Sequence, residues 1–492
     1  MMRWMLAALA GIGLSACTMM PHYRRPELPV STSWPQDAQP PAQQHVEAVP
    51  AAEIGWNEFF TDARLRRLIE IALNDNRNLR VAVLNVAASE AQYRIQRGVL
   101  LPGVSLSGSG VVEKIPANGS TPLAGTTGGG SGATSVQVSG SPGTIFRYYT
   151  AGVGITNYEL DLFGRERSLT SQAFEQYLSS AENRRGTQIS LVAEVATDYF
   201  SLLTDEALLK LTQETLQSQS ESYDLTKAMF DRDTTTLLSL RQAETSVDAA
   251  RASLAQYQRQ VAQDLHALTL VLGREVPSDL PSGQDIDGEG LLADLPAGLP
   301  SDLLTRRPDI MAAEHTLRAA NANIGAARAA FFPSIQLTGS AGYASGNLGN
   351  LFEKGTGTWL FAPTITLPIF AGGRNLANLD LANTEKNISI AQYEATIQTA
   401  FREVSDALSA RSTYHDQLEA QEALVQADAD AYRLAQLRFR AGVDSFLTSL
   451  DAQRSLYAAQ QTLLSLKQAQ LDNLVTLYKT LGGGWTEVAV PR

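Results

Sequence analysis

Residues 165–273 of this chain recur as residues 374–482, and the register never slips. Tyr223, Phe230 and Gly273 fall on Tyr432, Phe439 and Gly482, each 209 positions further on. Upstream, Leu101-Pro102 faces Phe332-Pro333 at an offset of 231, so an insertion lies between Pro102 and Arg165. The Gly/Ser/Thr-rich run 119–143 is the natural place for it, as a longer loop. A repeat of this length decides architecture ahead of any local pattern. It predicts a twofold-repeated body, each half built as helix, paired strands, long helix and return helix.

The first repeat spans 53–273, with strands near 102–112 and 148–162, a long helix 165–230 and a return helix 237–272. The second spans 303–482, with strands near 333–344 and 358–370, a long helix 374–439 and a return helix 444–481. A Gly- and Pro-containing connector, 274–302, joins them at mid-height, and a short tail, 483–492, ends the chain. Val195, Leu202, Leu209, Leu216, Tyr223 and Phe230 are spaced by seven, and Val404, Leu418, Val425, Tyr432 and Phe439 repeat the stripe with Arg411 as its break. A sustained heptad predicts left-handed supercoiled packing. Gly186 is the sole glycine of the run 165–230, which as one helix would be about 99 Å long at 1.5 Å per residue. The short runs 237–272 and 303–331 together match that length. So do 444–481 and 76–101 against 374–439, which predicts four helical columns of equal height with the short helices stacked in those pairs. Residues 53–74, with Trp56 and Phe59-Phe60 as apolar anchors, are expected to be helical.

The N-terminus reads as a targeting segment: Arg3, an apolar stretch over 4–14, then Leu14-Ser15-Ala16-Cys17. The stretch is too short to span a bilayer, so residues 1–16 are read as a cleaved signal peptide. Cys17 is the sole cysteine, which excludes disulfides within the chain. From 17 to 52 the chain carries Pro21, Pro26, Pro29, Pro35, Pro40, Pro41 and Pro50 and reads as an extended tether.

Val104 and Leu106 alternate with Ser105 and Ser107. Ile335 and Leu337 alternate with Gln336 and Thr338, and Trp359, Phe361, Ile365, Leu367 and Ile369 with smaller or polar residues. One apolar and one polar face marks a half-buried strand, in a soluble sheet or a membrane barrel. Strands of this length cross a hydrocarbon layer at a tilt. Four strands cannot close a barrel, since such barrels start at about eight, and open edges are not tolerated in lipid. Either several chains share one barrel or the strands lie outside a membrane.

A net charge of −12 argues against nucleic acid, and no stretch of about 18 apolar residues marks a transmembrane helix. No catalytic constellation stands out. His22, His45, His266, His315 and His415 lie far apart, and the Gly-rich run 125–132 lacks the Gly-Lys-Ser/Thr ending of a phosphate loop. No enzyme activity, metal or cofactor is expected.

The stretch Leu304-Thr305-Arg306-Arg307-Pro308-Asp309-Ile310, then Ala313-Glu314 and Ile324-Gly325-Ala326-Ala327-Arg328-Ala329-Ala330-Phe331-Phe332-Pro333-Ser334, resembles the signature of the TolC-like outer-membrane efflux proteins, in particular their lipoprotein (NodT/OprM-type) branch. Gly442-Val443-Asp444, Leu450-Asp451-Ala452-Gln453-Arg454 and Leu481-Gly482-Gly483-Gly484-Trp485 match it too. Asp233-Thr234-Thr235-Thr236 departs from it, standing where the branch usually has a Gly-Val-like pair.

The resemblance implies a mainly α fold with a membrane β-barrel: a homotrimer whose 12-stranded β-barrel continues into a 12-helix α-barrel in the periplasm. The implied function is a passive exit duct of a tripartite efflux pump, with a periplasmic adaptor and an inner-membrane transporter of the resistance-nodulation-division class as partners. Leu14-Ser15-Ala16-Cys17 resembles a bacterial lipobox, implying diacylglycerol and an N-acyl chain such as palmitate on Cys17. Thr18 after it favours outer-membrane sorting. Asp444 is a candidate cap of the return helix at the periplasmic tip. Leu447 and Asp451, four apart on one helix face, match the rings that narrow the resting tunnel of the branch. The same duct in a type I protein secretion system, and a coiled-coil lipoprotein without a pore, are the competing readings.

Overall fold

In a computed structural model of the chain, the described residues are 18–31, 33–34, 51–114, 123–124, 135–136, 145–286, 288, 290–291, 295 and 302–485. In chain order the helices are α1 (Trp56–Phe59), α2 (Ala63–Asp75), α3 (Arg77–Gly98), α4 (Arg165–Phe230), α5 (Leu237–Leu272), α6 (Leu303–Arg306), α7 (Pro308–Ala329), α8 (Arg374–Arg440) and α9 (Phe446–Thr480). The strands are β1 (Val104–Lys114), β2 (Leu123–Ala124), β3 (Ser135–Val136), β4 (Ile145–Glu159), β5 (Ser334–Ser345) and β6 (Gly357–Thr366). No helix among the described residues is long and apolar enough to cross a membrane. The chain forms two compact units. One gathers residues up to Pro26, Ala87–Ser179 and Glu314–Gln392; the other gathers Glu27–Val86, Ser180–Ala313 and Tyr393–Arg492.

The first unit holds an antiparallel sheet in the order β1-β4-β5-β6, with β1 and β6 as its edges. Pairing sorts the side chains into rows. Leu106, Val153, Ala341 and Trp359 lie in one register row, and Ser107, Gly152, Gly342 and Thr358 in the next. Glycine is required at the two middle positions of that second row. A Cβ on Gly152 would sit 2.9 Å from the Ala341 carbonyl, and one on Gly342 would meet the Ala151 carbonyl. Leu106 is 82% exposed and Trp359 79%. The ladder slips between Ile155 and Tyr158, where Asn157 takes φ +55°. A local bulge of this kind re-aims a strand. Phe163 and Phe332, just past the strand ends, stack at 4.8 Å.

The tether expected over 17–52 has no helix or strand from Thr18 to Val30 and bends at Pro29-Val30, and its first part is not free. Asn321 donates to the Pro21 carbonyl at 2.8 Å, and Arg25 pairs with Glu314. Further on, in the second unit, Trp34 is buried and stacks on Phe401 at 5.1 Å.

The second unit shows how the short helices abut. Gly273 (φ +73°) ends α5, and a Cβ there would lie against the Asp75 carbonyl and 3.4 Å from the Asn76 Cα. Asn76 caps α3 by accepting from the Leu79 amide and donates to the Val271 carbonyl at 2.7 Å. Gly482 (φ +83°) likewise follows α9, with the Arg306 carbonyl 2.6 Å from where its Cβ would be. Arg307 Nη1 donates to the Thr480 carbonyl at 3.1 Å. The ends that meet are therefore α5 with α3 and α9 with α7, the reverse of the expected pairing. Length could not distinguish the two arrangements, because both combinations add up to about one long helix.

The expected continuous run 303–331 is broken at Arg307-Pro308. Proline disfavours helix at the residue before it, yet is at home in the first helical position. The expected helix over 53–74 is also divided, into a 3-10 turn (Ala51–Glu53), α1 and α2. Asp62 caps α2, accepting from the amides of Arg64 at 2.7 Å and Leu65 at 3.3 Å. Its other oxygen accepts from Tyr199 and from the Gln284 amide, each at 3.0 Å. Phe59 and Phe60 are fully buried, and Tyr478 stacks on Phe59 at 4.0 Å. Burial stabilises each such ring by about 1.5–3 kcal/mol.

Along α4, Val195 and Leu202 of the heptad stripe are buried, while Leu209 and Leu216 are only half-buried. Three residues after each stripe position stand Asp198, Asp205, Thr212, Gln219 and Thr226, and the last three of these are buried. One of the two core positions of the coil is thus polar along its length. Polar core positions set register at a cost in stability.

Candidate functional site

The features singled out by sequence gather at two places, the turns that end the long helices and the exposed sheet. Both turns have one design. After α8, Gly442 takes φ +70°, its amide donates to the Phe439 carbonyl at 2.9 Å, and the Val443 amide donates to the Arg438 carbonyl at 2.9 Å. After α4, Asp233 takes φ +57°, with Asp233 to Phe230 and Thr234 to Met229 bonds of the same lengths. This closure satisfies the orphan carbonyls of a helix end. The departure at Asp233-Thr234-Thr235-Thr236 therefore leaves the turn unchanged, since aspartate is among the few residues that tolerate a left-handed backbone.

Asp444 does not cap the return helix. Ser445 does, its hydroxyl accepting from the Thr448 amide at 3.4 Å, as Thr236 accepts from Ser239 at 3.2 Å in the other turn. Asp444 is held back by Arg438, whose Nε and Nη2 donate to its two oxygens at 2.6 and 2.9 Å. A bidentate guanidinium is a stronger partner than free helix amides. Arg438 lowers the Asp444 carboxyl below its usual range, and Asp444 raises the guanidinium.

Leu447 and Asp451 lie on the first turns of α9 and share an open face. Leu447 is 43% exposed, and the Asp451 carboxylate lies 3.9 Å from Arg454. The opposite face is closed. Phe446 and Leu450 are buried with Ala243, and Tyr223 and Phe439 pack against them. Phe439 meets Phe446 edge-on at 5.5 Å. The two expected gate residues therefore point away from their own chain's packing.

Sequence reasoning missed the polar ties beside them. Gln453, 7% exposed, donates to Ser218 at 3.2 Å, and Ser218 contacts the Tyr432 hydroxyl at 3.2 Å. Arg454 donates to Ser246 at 3.3 Å. Thr212 and Tyr457 share a 2.8 Å bond, and Gln461 donates to Tyr257 at 2.9 Å. The polar core positions of α4 and the heptad tyrosine at 432 were the available signals. Together these contacts tie α9 to both α4 and α5.

At the sheet, Phe361 (63%) and Ile365 (68%) are exposed along β6, one of the two open edges. Soluble monomers rarely expose apolar rows of this extent. Among the described residues no cluster of three or more His, Cys, Asp or Glu is disposed to hold a metal. Cys17 lies outside the described residues.

The sequence model of a family described as outer membrane efflux protein matches residues 68–274 and 299–483. The toluene efflux pump outer membrane protein TtgC of Pseudomonas putida is 52% identical over 480 residues, covering 98% of this chain and 95% of its own. The antibiotic efflux pump outer membrane protein ArpC of Pseudomonas putida matches with the same figures. The open state of the Neisseria gonorrhoeae MtrE outer membrane channel superposes with a TM-score of 0.83 at 40% identity, covering 95% of this chain and 99% of that one.

Proposed function

The chain belongs to the outer membrane efflux protein family, and from that we propose that it is the outer-membrane exit duct of a tripartite efflux pump. Its sheet carries the proposal: four strands of 11, 15, 12 and 10 residues, exposed apolar rows, and two unpaired edges. Lipid solvates the apolar rows but cannot satisfy open edges. Three copies pairing β1 of one with β6 of the next close a 12-stranded barrel in the outer membrane. The long helices and their return helices then continue it as a 12-helix barrel through the periplasm.

The duct conducts passively and performs no chemistry. A periplasmic adaptor links it to an inner-membrane transporter, of the resistance-nodulation-division class, which supplies the energy. Relatives at 52% identity are named for toluene and for antibiotic export, which supports small apolar toxicants and drugs as the cargo. Cys17 is the mature N-terminus and carries the lipid. Leu447 and Asp451 form the periplasmic constriction, three leucines making a dry ring and three carboxylates a cation-attracting one.

Deleting the gene should sensitise cells to aromatic solvents and to several antibiotic classes, and the wild-type chain should restore resistance. An unchanged sensitivity profile, in a strain with no second such duct, would refute the proposal.

A further inference from the structure

Behind the lipidation site, residues Thr18–Arg25 lie on α7 and the start of α4 as a strap. A Cβ on Gly164 (φ +76°) would lie 2.9 Å from the Thr18 Cα, and one on Gly325 would meet the Ser168 hydroxyl of α4 and lie 2.9 Å from the Met20 backbone. The missing side chain at Gly164 admits the strap, and that at Gly325 admits both the strap and Ser168. Asn321 donates to the Pro21 carbonyl at 2.8 Å. The strongest contact is at the far end. Glu314 is 4% exposed and accepts from Arg25 Nε at 3.2 Å and Nη2 at 2.6 Å, from Arg318 Nη2 at 2.7 Å, and from the Tyr23 hydroxyl at 3.2 Å. Arg318 also lies 5.0 Å from the Tyr23 ring centre. Burial works against the charged carboxyl, but the two guanidiniums outweigh it and hold Glu314 below the ordinary glutamate range.

We infer that Glu314 is the lock of an N-terminal strap, and that the strap fixes the acyl anchor beside the strand–helix junction instead of leaving it on a free tether. Gly164 follows β4 by five residues and immediately precedes α4, so Thr18, packed on it, stands beside that junction. The lock stands on the contacts alone. Its consequence for the anchor rests on the proposal that Cys17 is lipidated. Arg25 and Arg318 both reach solvent, with side chains 42% and 37% exposed. Removing Glu314 therefore frees the strap without leaving a buried cation.

Limited trypsin digestion of the full-length, membrane-extracted protein tests this. Arg25 precedes Pro26, which blocks cleavage there, so the strap is cut after Arg24 and releases a peptide ending at that residue. In the wild type this cut should be slow. Glu314→Ala should speed it at least tenfold, and Asn321→Ala, which removes the donor to the Pro21 carbonyl, should also speed it. Cuts elsewhere in the chain should keep their rates. A wild-type cut as fast as that of the unfolded chain, or equal rates in wild type and both variants, overturns the lock. The mass of the released peptide reports the lipid separately. A protected strap whose peptide carries no acyl chains sinks the anchor and leaves the lock, and rapid release of an acylated peptide does the reverse.

Discussion

Asp233 and Gly442 hold the same left-handed backbone, φ +57° and +70°, at repeat-equivalent positions of the two tip turns. Their neighbours make matching closing bonds and end at matching hydroxyl caps, Thr236 and Ser445. Replacing Asp233 with Gly should therefore be neutral or mildly stabilising. Gly442→Val places a β-branched residue where φ is positive and should cost about 1–3 kcal/mol. Thermal melting of the detergent-extracted protein checks both, and a Gly442→Val protein that melts like the parent would show that the turn is not held as described.

The polar seam of α4 predicts a pH dependence. Burial, with repulsion from Glu194 and Asp264, pushes Asp198 up to about 6. Burial and the facing Asp264 do the same to Asp205, and burial and Asp198 to Asp472. Asp264 Oδ2 and Asp472 Oδ1 are buried with no donor among the described residues. Unfolded aspartates titrate near ~3.9, so the folded chain holds protons that the unfolded chain releases. The stabilisation is complete below the unfolded value, is lost as pH rises through about 6, and is flat above. Melting should therefore be higher at pH 5 than at pH 8, and Asp205→Asn should raise the pH 8 value and shrink the gap. Glu314, whose carboxyl is lowered, has the opposite sign, but its loss falls below pH 5. A melting temperature that rises from pH 5 to pH 8 would contradict the seam.

Long helices were legible in the sequence because the repeat sets their register and neither proline nor an internal glycine pair interrupts 165–230. Which short helices abut was not, since the two pairings are nearly equal in length and only contacts such as Asn76 to Val271 and Arg307 to Thr480 decide. Asp444 and Ser445 are both good capping residues. The choice fell to Arg438, six positions back, which captures the aspartate. The strap was hidden for a related reason: its prolines suggest a tether, and Glu314 stands 289 positions from Arg25.

Leu447 and Asp451 face away from their own chain's packing, so truncating them should leave the fold intact while widening the proposed constriction. Leu447→Ala with Asp451→Ala should admit large antibiotics such as vancomycin and lower the inhibitory concentration at least fourfold, with unchanged amounts of protein in the membrane. An unaltered vancomycin response would place the constriction elsewhere.

Conduction is the property that makes the protein an exit duct. Purified protein added to a planar lipid bilayer should give discrete, long-lived conductance steps that prefer cations, as three Asp451 carboxylates at the proposed constriction require. Folded protein that inserts and yields no steps would contradict an exit duct.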